Sequence, residues 1–394
     1  MTELKLRGME QKDMGVSATK VVVLCIFLFL GMLLPGIVFS PEASTDVWNV
    51  NESDFYKNIS SEDRLAFLVN YAVLAPSICN SQPWKFNISE DGIQDGIEDR
   101  IYLYADESRW LSVADADKSE MYMSLGCALE NMVIAAGHFG YNCTVSYFPG
   151  EKDLVAAVSL KPGLQNADSS RLFNAITSRD TCSLPYEQKA ISGADLQALN
   201  ESPGSLSDGA VRILLTSDQD TKDRFRELVT RADAIQYSDA NFKSELGHWI
   251  SQGVFGPTGL DAKIAQLSVI FLDSGPAQAQ KDSDLINSTS CIGFLITADN
   301  DSTSSIRTGR ALERFWLTAA SLGIGLQPMN QVIEVSETEA ALKTDLSGLM
   351  PESTSTSSND MWHVQQAFRL GYSDCQAPHS NRRPLAQVMM EKKK

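Results

Sequence analysis

Hydrophobic and polar residues follow helical spacing in some stretches of the chain and two-residue alternation in others. Apolar residues at helical spacing between Leu65 and Val73 predict a helix, which Ser60 and Asp63 would begin as a capping box. Further helices are predicted at 117–139, 171–178, 222–235, 242–249 and 305–322. Alternating or short apolar runs predict strands at 84–88, 101–104, 143–148, 154–160, 211–216, 291–298, 325–327 and 366–370, and a Ser/Thr-rich run predicts a loop at 351–359. Interleaved helices and strands of this kind favour an α+β fold over a helix bundle.

One helical stretch occurs twice. Residues 126–140 read GCALENMVIAAGHFG and residues 309–323 read GRALERFWLTAASLG, with six identities at one constant offset. A shared Gly-x-Ala-Leu-Glu start and a shared glycine stop favour duplication over chance agreement between two amphipathic helices. We therefore divide the body of the chain into a first half at 61–165 and a second half at 166–390.

The most hydrophobic stretch of the chain precedes this body. Residues 21–39 form an almost uninterrupted apolar run, close to the ~20 residues that cross a bilayer as a helix. Basic residues precede the run and acidic residues follow it, so the positive-inside rule places segment 1–20 in the cytoplasm and the body outside. A cleaved signal peptide is the alternative, although Pro41 fits a cleavage site poorly. We predict a single-pass transmembrane signal-anchor at 21–39, joined to the body by a linker at 40–60.

Charge and cysteine usage exclude several classes of protein. The net charge of the 394 residues is −17, so phosphate-driven binding of nucleic acid is not expected. The seven cysteines are scattered without a CxxC pair, a pattern that predicts neither a zinc site nor a disulfide scaffold, although one or two disulfides remain compatible with a body outside the cell. The four histidines are dispersed and are each interpreted as surface or packing residues.

A specific motif joins the first predicted helix to the first predicted strand. Residues 71–86 read YAVLAPSICNSQPWKF and resemble the A-P-S-x-x-N-x-Q-P-W-x-F signature of the nitroreductase family, with every specified position filled. The rest of the chain resembles the single-chain branch of that family, similar to the mycobacterial Acg protein. The segments that carry this resemblance are 105–109, 124–128, 175–179, 245–249, 327–331 and 381–385. The resemblance covers residues from about 60 to 390 and leaves the apolar run outside it.

The resemblance implies a mixed sheet flanked by helices and FMN as cofactor. Ordinary members are homodimers with FMN between the subunits, whereas the single-chain branch resembles a dimer fused into one chain, so a monomeric pseudo-dimer is implied. The residues implied to bind FMN are Ser77, Asn80, Gln82, Arg179, Thr181, Asn330, Arg382 and Arg383. Ser183 stands where the family's phosphate clamp has a second basic residue, and Asp180 adds a negative charge beside it.

Three functions are compatible with these features. The first is an FMN-dependent oxidoreductase that passes hydride equivalents from NAD(P)H or another reductant to a nitroaromatic, quinone or similar acceptor. The second is a non-catalytic protein that binds or sequesters flavin, and the third is a surface interaction module without flavin. Segment 242–259, which contains glycines and a proline, is predicted as a mobile flap over the cofactor. No catalytic acid–base pair and no metal site is predicted.

Overall fold

Two four-stranded sheets and the helices around them form the part of the chain that a computed structural model describes. The described residues are 44–57, 60–89, 99–206, 210–350, 362–374 and 378–391. The first sheet contains β1 (Trp84–Ser89), β2 (Asp99–Ala105), β3 (Tyr141–Tyr147) and β4 (Leu154–Pro162) in the order β1-β2-β4-β3. The second contains β5 (Val211–Thr216), β6 (Cys291–Thr297), β7 (Ile324–Pro328) and β8 (His363–Tyr372) in the order β5-β6-β8-β7. Both sheets therefore arrange their strands in the same spatial order.

The mixed sheet implied by the family resemblance is corrected by this pairing. Every pair of neighbouring strands in the two sheets runs antiparallel. Parallel pairing occurs in the described residues only as an isolated bridge between Phe86 and Met389, where the Met390 N–H donates to the Phe86 carbonyl at 2.8 Å. The C-terminal segment thus contacts the edge of the first sheet without adding a full strand to it. The prediction of an α+β fold is confirmed.

The longest helices were predicted from sequence, and several shorter ones were not. Ser60 caps α1 in a capping box with Asp63, as predicted. The predicted helices correspond to α1 (Ser61–Ala72), α2 (Ser119–His138), α3 (Ala167–Ile176), α5 (Gln219–Ser238), α6 (Ala240–Ser251) and α9 (Ser302–Ser321). The unpredicted ones are α4 (Gly193–Glu201), α7 (Gly259–Phe271), α8 (Gly275–Asn287), α10 (Gln331–Glu334), α11 (Ser336–Asp345) and α12 (Leu385–Val388). Helix α7 is apolar on most sides, so it lacks the period that marks an amphipathic helix.

Helices α2 and α9, which carry the repeated sequence, cross at their glycines. A Cβ atom on Gly126 would overlap the carbonyl oxygen of Ile306, and one on Gly309 would overlap the backbone of Met123. The Cys127 thiol donates to the Gly309 carbonyl at 3.1 Å across the same contact. Only glycine allows two helix backbones to approach this closely. One apolar core extends across the crossing, from Leu129 of α2 to Phe315 of α9.

The segment before α1 packs on the body. Within the predicted linker, Trp48 and Phe55 are buried, and Ser44 forms a bridge with Arg382. The predicted transmembrane run at 21–39 and the predicted loop at 351–359 lie outside the described residues. Among the helices that the structure describes, none combines the length and the apolar character needed to cross a bilayer.

Candidate functional site

A cavity of about 560 Å³ lies beside the crossing of α2 and α9. Its walls come from the turn after α1, from α2 and α9, from the chain after α3, from the segment between α6 and α7, from the end of β7, and from the C-terminal segment. Cofactor sites in proteins typically enclose about 300–1,000 Å³. The cavity is therefore large enough for a mononucleotide cofactor.

The turn after α1 holds an unusual backbone conformation at the cavity wall. Cys79, Asn80 and Gln82 have positive φ angles of 45°, 50° and 53°. Non-glycine residues rarely adopt this region, and they persist there when the surroundings hold them in place. The Ser77 hydroxyl accepts from the Gln82 N–H at 2.9 Å, and the Ser124 hydroxyl accepts from the Ile78 N–H at 3.1 Å. The nitroreductase-like motif thus forms a fixed turn.

Two arginines form a basic end of the cavity. Arg179 and Arg382 are almost fully buried, and both donate to the Leu74 carbonyl oxygen, at 2.8 and 3.2 Å. Their guanidinium groups stack over Trp316 and Trp48, respectively. Buried Glu313 lies 3.5 Å from Nε of Arg179.

The guanidinium of Arg179 is close enough to that of Arg382 to affect the ionisation of Arg382. Burial, and after it the charge of Arg179, lowers the pKa of Arg382 to about 9, against the opposing effect of Glu313. Within the described residues, Nε of Arg382 has no hydrogen-bond partner. Burial likewise raises the pKa of the Glu313 carboxyl to about 7, against the opposing effect of Arg179. This end of the cavity therefore holds buried cations with few counter-charges, an arrangement suited to an anion.

Two glutamates form an acidic end of the cavity. Glu120, from the first turn of α2, and Glu334, from the end of α10, are hydrogen-bonded to each other and line the wall. Burial, followed by the charge of its partner, raises the pKa of Glu120, and burial raises that of Glu334. Gln236 donates to Glu334 at 2.5 Å. Two carboxyls in contact cannot both ionise, so we interpret the pair as sharing one proton.

A second carboxyl pair lies behind the acidic end. The buried side chains of Asp233 and Asp282 are hydrogen-bonded to each other, and the Gln331 amide donates to both, at 3.2 and 3.0 Å. Burial and the neighbouring Asp282 raise the pKa of Asp233 to about 8. Gln331 also lines the cavity, so it connects this pair to the wall.

The structure brings most of the predicted cofactor residues together. Those that line the cavity are Ser77, Asn80, Arg179, Thr181, Asn330 and Arg382. Asn330 is buried, and its amide oxygen accepts from the Ala367 N–H at 3.0 Å and from Gln366 at 2.7 Å. Ser183, at the position where the family has a basic residue, also lines the cavity.

Two predicted residues are placed behind the cavity wall. Gln82 is fully buried, and its amide oxygen accepts from the Arg383 N–H at 2.7 Å. The Arg383 guanidinium donates to the Gln82 carbonyl at 3.0 Å and lies 3.3 Å from Asp106. Gln82 and Arg383 thus bind each other, joining the motif turn to the C-terminal segment. Their physical role here is to hold the wall, because their polar atoms are directed toward each other.

Several residues of the wall were not identified from sequence, among them Glu120, Glu334 and His379. Glu120 and Glu334 are more than 200 residues apart, and an acid in the first turn of a helix is ordinary, so no local signal marks them. His379 stacks on Trp48 with ring centroids 4.1 Å apart, as a packing residue would, but it also lines the cavity. Desolvation lowers the pKa of His379, so burial favours its neutral form.

The predicted flap contributes to the wall and is tied to it. The carbonyls of Gly253 and Val254 accept from the side chains of Asn381 and Asn80, at 2.8 and 2.7 Å. Val254 and Phe255 line the cavity, while buried Trp249 packs with Leu111. The two carbonyl contacts hold this segment at the motif turn and the C-terminal segment.

No protein-family model matches the chain. Two Mycobacterium tuberculosis (strain ATCC 25618 / H37Rv) proteins are similar to it: "Putative NAD(P)H nitroreductase Rv3131", 25% identical over 334 residues, and "Putative NAD(P)H nitroreductase acg", 25% identical over 283 residues. The first match covers 82% of this chain and 90% of the relative; the second covers 69% and 82%. A BluB-like flavoprotein from Clostridium difficile 630 aligns with a TM-score of 0.38 and 12% identity, over 56% of this chain and 99% of that one. The chain is thus a nitroreductase-like single-chain protein, similar to these mycobacterial proteins over most of its length.

Proposed function

We propose that this protein is an FMN-dependent oxidoreductase of nitroreductase type. It would pass hydride equivalents from NAD(P)H or another reductant to a nitroaromatic, a quinone or a similar acceptor. The observation that carries the proposal is the pair of buried guanidinium groups, Arg179 and Arg382, at one end of a cavity of mononucleotide size. The names of the two mycobacterial relatives support the same reaction class.

The basic end has the groups that a cofactor phosphate requires. Arg179 and Arg382 provide two cations, and the free Nε of Arg382 provides a donor without a protein partner. The Thr181 and Ser183 hydroxyls lie on the same wall and can donate to phosphate oxygens. The substitution of serine for a basic residue at position 183 is therefore partly offset, since Arg382 enters the site from the other end of the chain.

The remaining predicted residues would orient the cofactor. Ser77 and Asn80 lie on the fixed turn near the basic end, where the ribityl chain and the ring edge would pass. Asn330, which lies between β7 and α10 and is held by Gln366, would face the ring. When bound, FMN supplies the hydride chemistry, and this chain supplies binding, orientation and protons.

The acidic end supplies a proton in this scheme. Reduction of a quinone to a hydroquinone adds one hydride and one proton. We assign the proton to the Glu120–Glu334 pair, which gives its shared proton to the acceptor oxygen and regains one from solvent. A carboxyl whose pKa is raised by burial holds this proton at a pH where an exposed glutamate would have lost it.

The location of the protein is a further part of the proposal. We propose that residues 21–39 tether the body to a membrane with the body outside the cytoplasm, as their apolar run and flanking charges indicate. The equal strand order of the two sheets and the glycine crossing of α2 and α9 support the idea that the two halves form a pseudo-dimer.

A non-catalytic flavin-binding protein is the second candidate. Ser183 in the clamp and the hydrogen bonds that hold Val254 over the turn favour a site that retains flavin and admits acceptors poorly. The two candidates share the binding site and differ only in turnover.

Absorbance of the purified full chain tests both candidates. The enzyme predicts flavin bands at close to one FMN per chain, bleaching with NAD(P)H under anaerobic conditions, and recovery when a quinone is added. Flavin bands that no reductant bleaches would exclude the enzyme and support the non-catalytic flavin-binding protein. A chain that takes up no FMN, and whose melting temperature FMN does not raise, would contradict both.

A further inference from the structure

Helix α7 presents an apolar face to solvent. Its residues Leu260, Ile264, Leu267 and Phe271 are exposed, and Leu260 and Phe271 retain 66% and 74% of their accessible surface. These positions follow the spacing i, i+4, i+7 and i+11, so their side chains form one stripe along the helix. Leu272, directly after the helix, extends the stripe. A continuous exposed stripe of this kind marks a surface that is covered in the working protein.

The opposite face of α7 is already packed against the body. Ala262 is buried, and a Cβ on Gly247 of α6 would lie 3.0 Å from Ile270, so α6 and α7 approach each other closely there. The orientation of the helix is therefore set by its buried side. The exposed stripe is a second apolar surface, and the described part of the chain does not cover it.

Charge is almost absent around the stripe. Between Glu245 and Asp273, the charged residues are Asp261 and Lys263, with the histidine His248 besides, in a chain that is 21% charged. A protein with a net charge of −17 has thus kept one surface segment close to neutral. Such a segment meets neither strong repulsion nor strong attraction at a lipid surface.

The chain enters the described body close to this segment. Ser44 exchanges backbone hydrogen bonds with Arg382, at 2.8 and 2.9 Å. The adjacent Asn381 donates to the carbonyl of Gly253, at 2.8 Å, a few residues before α7 begins. The entry point of the chain and the start of α7 are therefore joined through the C-terminal segment.

The apolar run at 21–39 ends a few residues before Ser44. Four residues lie between Phe39 and Ser44, and the five steps from one to the other span at most roughly 17 Å when fully extended. A bilayer that holds the run would thus lie within this distance of Ser44, which is connected through Arg382 and Asn381 to Gly253 in the segment before α7. At 13 residues, or about 20 Å, α7 is too short to cross a hydrocarbon core and long enough to lie along its surface.

We infer that the exposed face of α7 is a membrane-docking surface, which rests on a lipid bilayer when the chain is tethered. This inference rests on the tether proposed above and adds a second, independent contact with the same membrane. Because Val254 and Phe255 connect α6 to α7 and line the cavity, docking would place one cavity wall next to the lipid.

Quenching of tryptophan fluorescence by brominated lipid tests the docking. The full chain carrying Phe271→Trp is reconstituted into phosphatidylcholine vesicles with and without bromine on the acyl chains. We expect brominated lipid to quench the emission that this substitution adds to the parent protein. Leu164→Trp is the matched control, because Leu164 is an exposed leucine on the loop after β4, and its added emission should be unaffected.

A second variant separates docking from tethering. In the Phe271→Trp background, Leu260→Gln with Ile264→Gln should abolish the quenching while the protein still floats with the vesicles. Flotation without quenching in the Phe271→Trp protein itself would overturn the docking and leave the tether standing. Equal quenching in the Leu164→Trp control, or a lipid-independent dimer that hides α7, would also overturn it. Loss of flotation would overturn tether and docking together, and flavin absorbance of the same sample would report separately on the proposed enzyme.

Discussion

The two ends of the cavity differ in how their buried ionisable groups are stabilised. At the basic end, Arg179 and Arg382 remain cationic while buried side by side, with Glu313 3.5 Å from Arg179 as one counter-charge and Asp180 on the cavity wall as another. At the acidic end, Glu120 and Glu334 reduce their charge by sharing a proton. Even with its lowered pKa of about 9, Arg382 keeps its proton at neutral pH, so the basic end requires an anion from outside, whereas a carboxyl pair is satisfied by the proton itself. The difference indicates that the basic end is built to bind and the acidic end to exchange protons.

The largest effect should come from the helix crossing that holds both ends in place. Gly309→Ala puts a methyl group onto the backbone of Met123, which cannot move unless α2 and α9 separate. We expect the free energy of unfolding to fall by about 3 kcal/mol, measured by chemical denaturation. Gly193→Ala is the control, because no atom lies within 4 Å of a Cβ at Gly193. If both variants are equally stable, the crossing is not as tight as described.

The next largest effect should be specific to the basic end. Arg382→Leu removes one of the two cations together with its unpaired Nε donor, and a charged hydrogen bond contributes about 1.5–3 kcal/mol. FMN affinity should fall roughly 10- to 100-fold in a fluorescence titration. Arg171→Leu, which removes an exposed arginine in an i,i+3 ion pair, should leave the affinity unchanged. Equal FMN affinities in the Arg382 variant and the parent would show that the anion binds elsewhere.

Buried carboxyls with raised pKa values should make the protein less stable as the pH rises. Burial raises the pKa of Asp233 to about 8 and that of Asp115 to about 7, so both carboxyls bind protons more tightly in the folded chain than in the unfolded one. The free energy of unfolding should therefore fall between pH 4 and pH 8. Asp233→Asn, which keeps the amide–carboxyl contact to Asp282, should regain on the order of 1–2 kcal/mol at pH 8 and nothing at pH 4. A parent protein whose stability rises over this range would contradict the raised pKa values.

The smallest effect on binding, and the most informative one on chemistry, should come from the glutamate pair. Glu120→Gln should leave FMN affinity nearly unchanged, because Glu120 lies at the acidic end of the cavity. Quinone reduction by the parent should decline as the pH rises through the pKa of the pair, and the variant should lose that decline together with most of the rate. Glu339→Gln, in a half-buried i,i+4 ion pair on α11, is the control. An unchanged pH profile in the Glu120 variant would assign the proton to another group.

The resemblance located the cavity better than it assigned individual contacts. The motif at 71–86 correctly indicated a turn between α1 and β1, and six of the predicted residues line the cavity beside it. Gln82 and Arg383 belong to the same motifs and could not be told apart from the others by spacing. They differ because their polar groups pair with each other across the chain, at 2.7 Å. A motif therefore identifies a segment, and partner geometry decides which of its side chains face the cavity.

The sequence by itself determined the secondary structure of the repeated helices, the glycines at their crossing and the segments that carry the motif, because these depend on periodicity and on local backbone preferences. It also determined that an apolar run precedes the body. Only the tertiary structure decided that Glu120 meets Glu334, that Arg382 meets Arg179, and that one face of α7 stays exposed. Each of these facts depends on which distant segments pack together. No local pattern records such a pairing, because the sequence around a charged residue does not show whether folding will bury it or leave it in water.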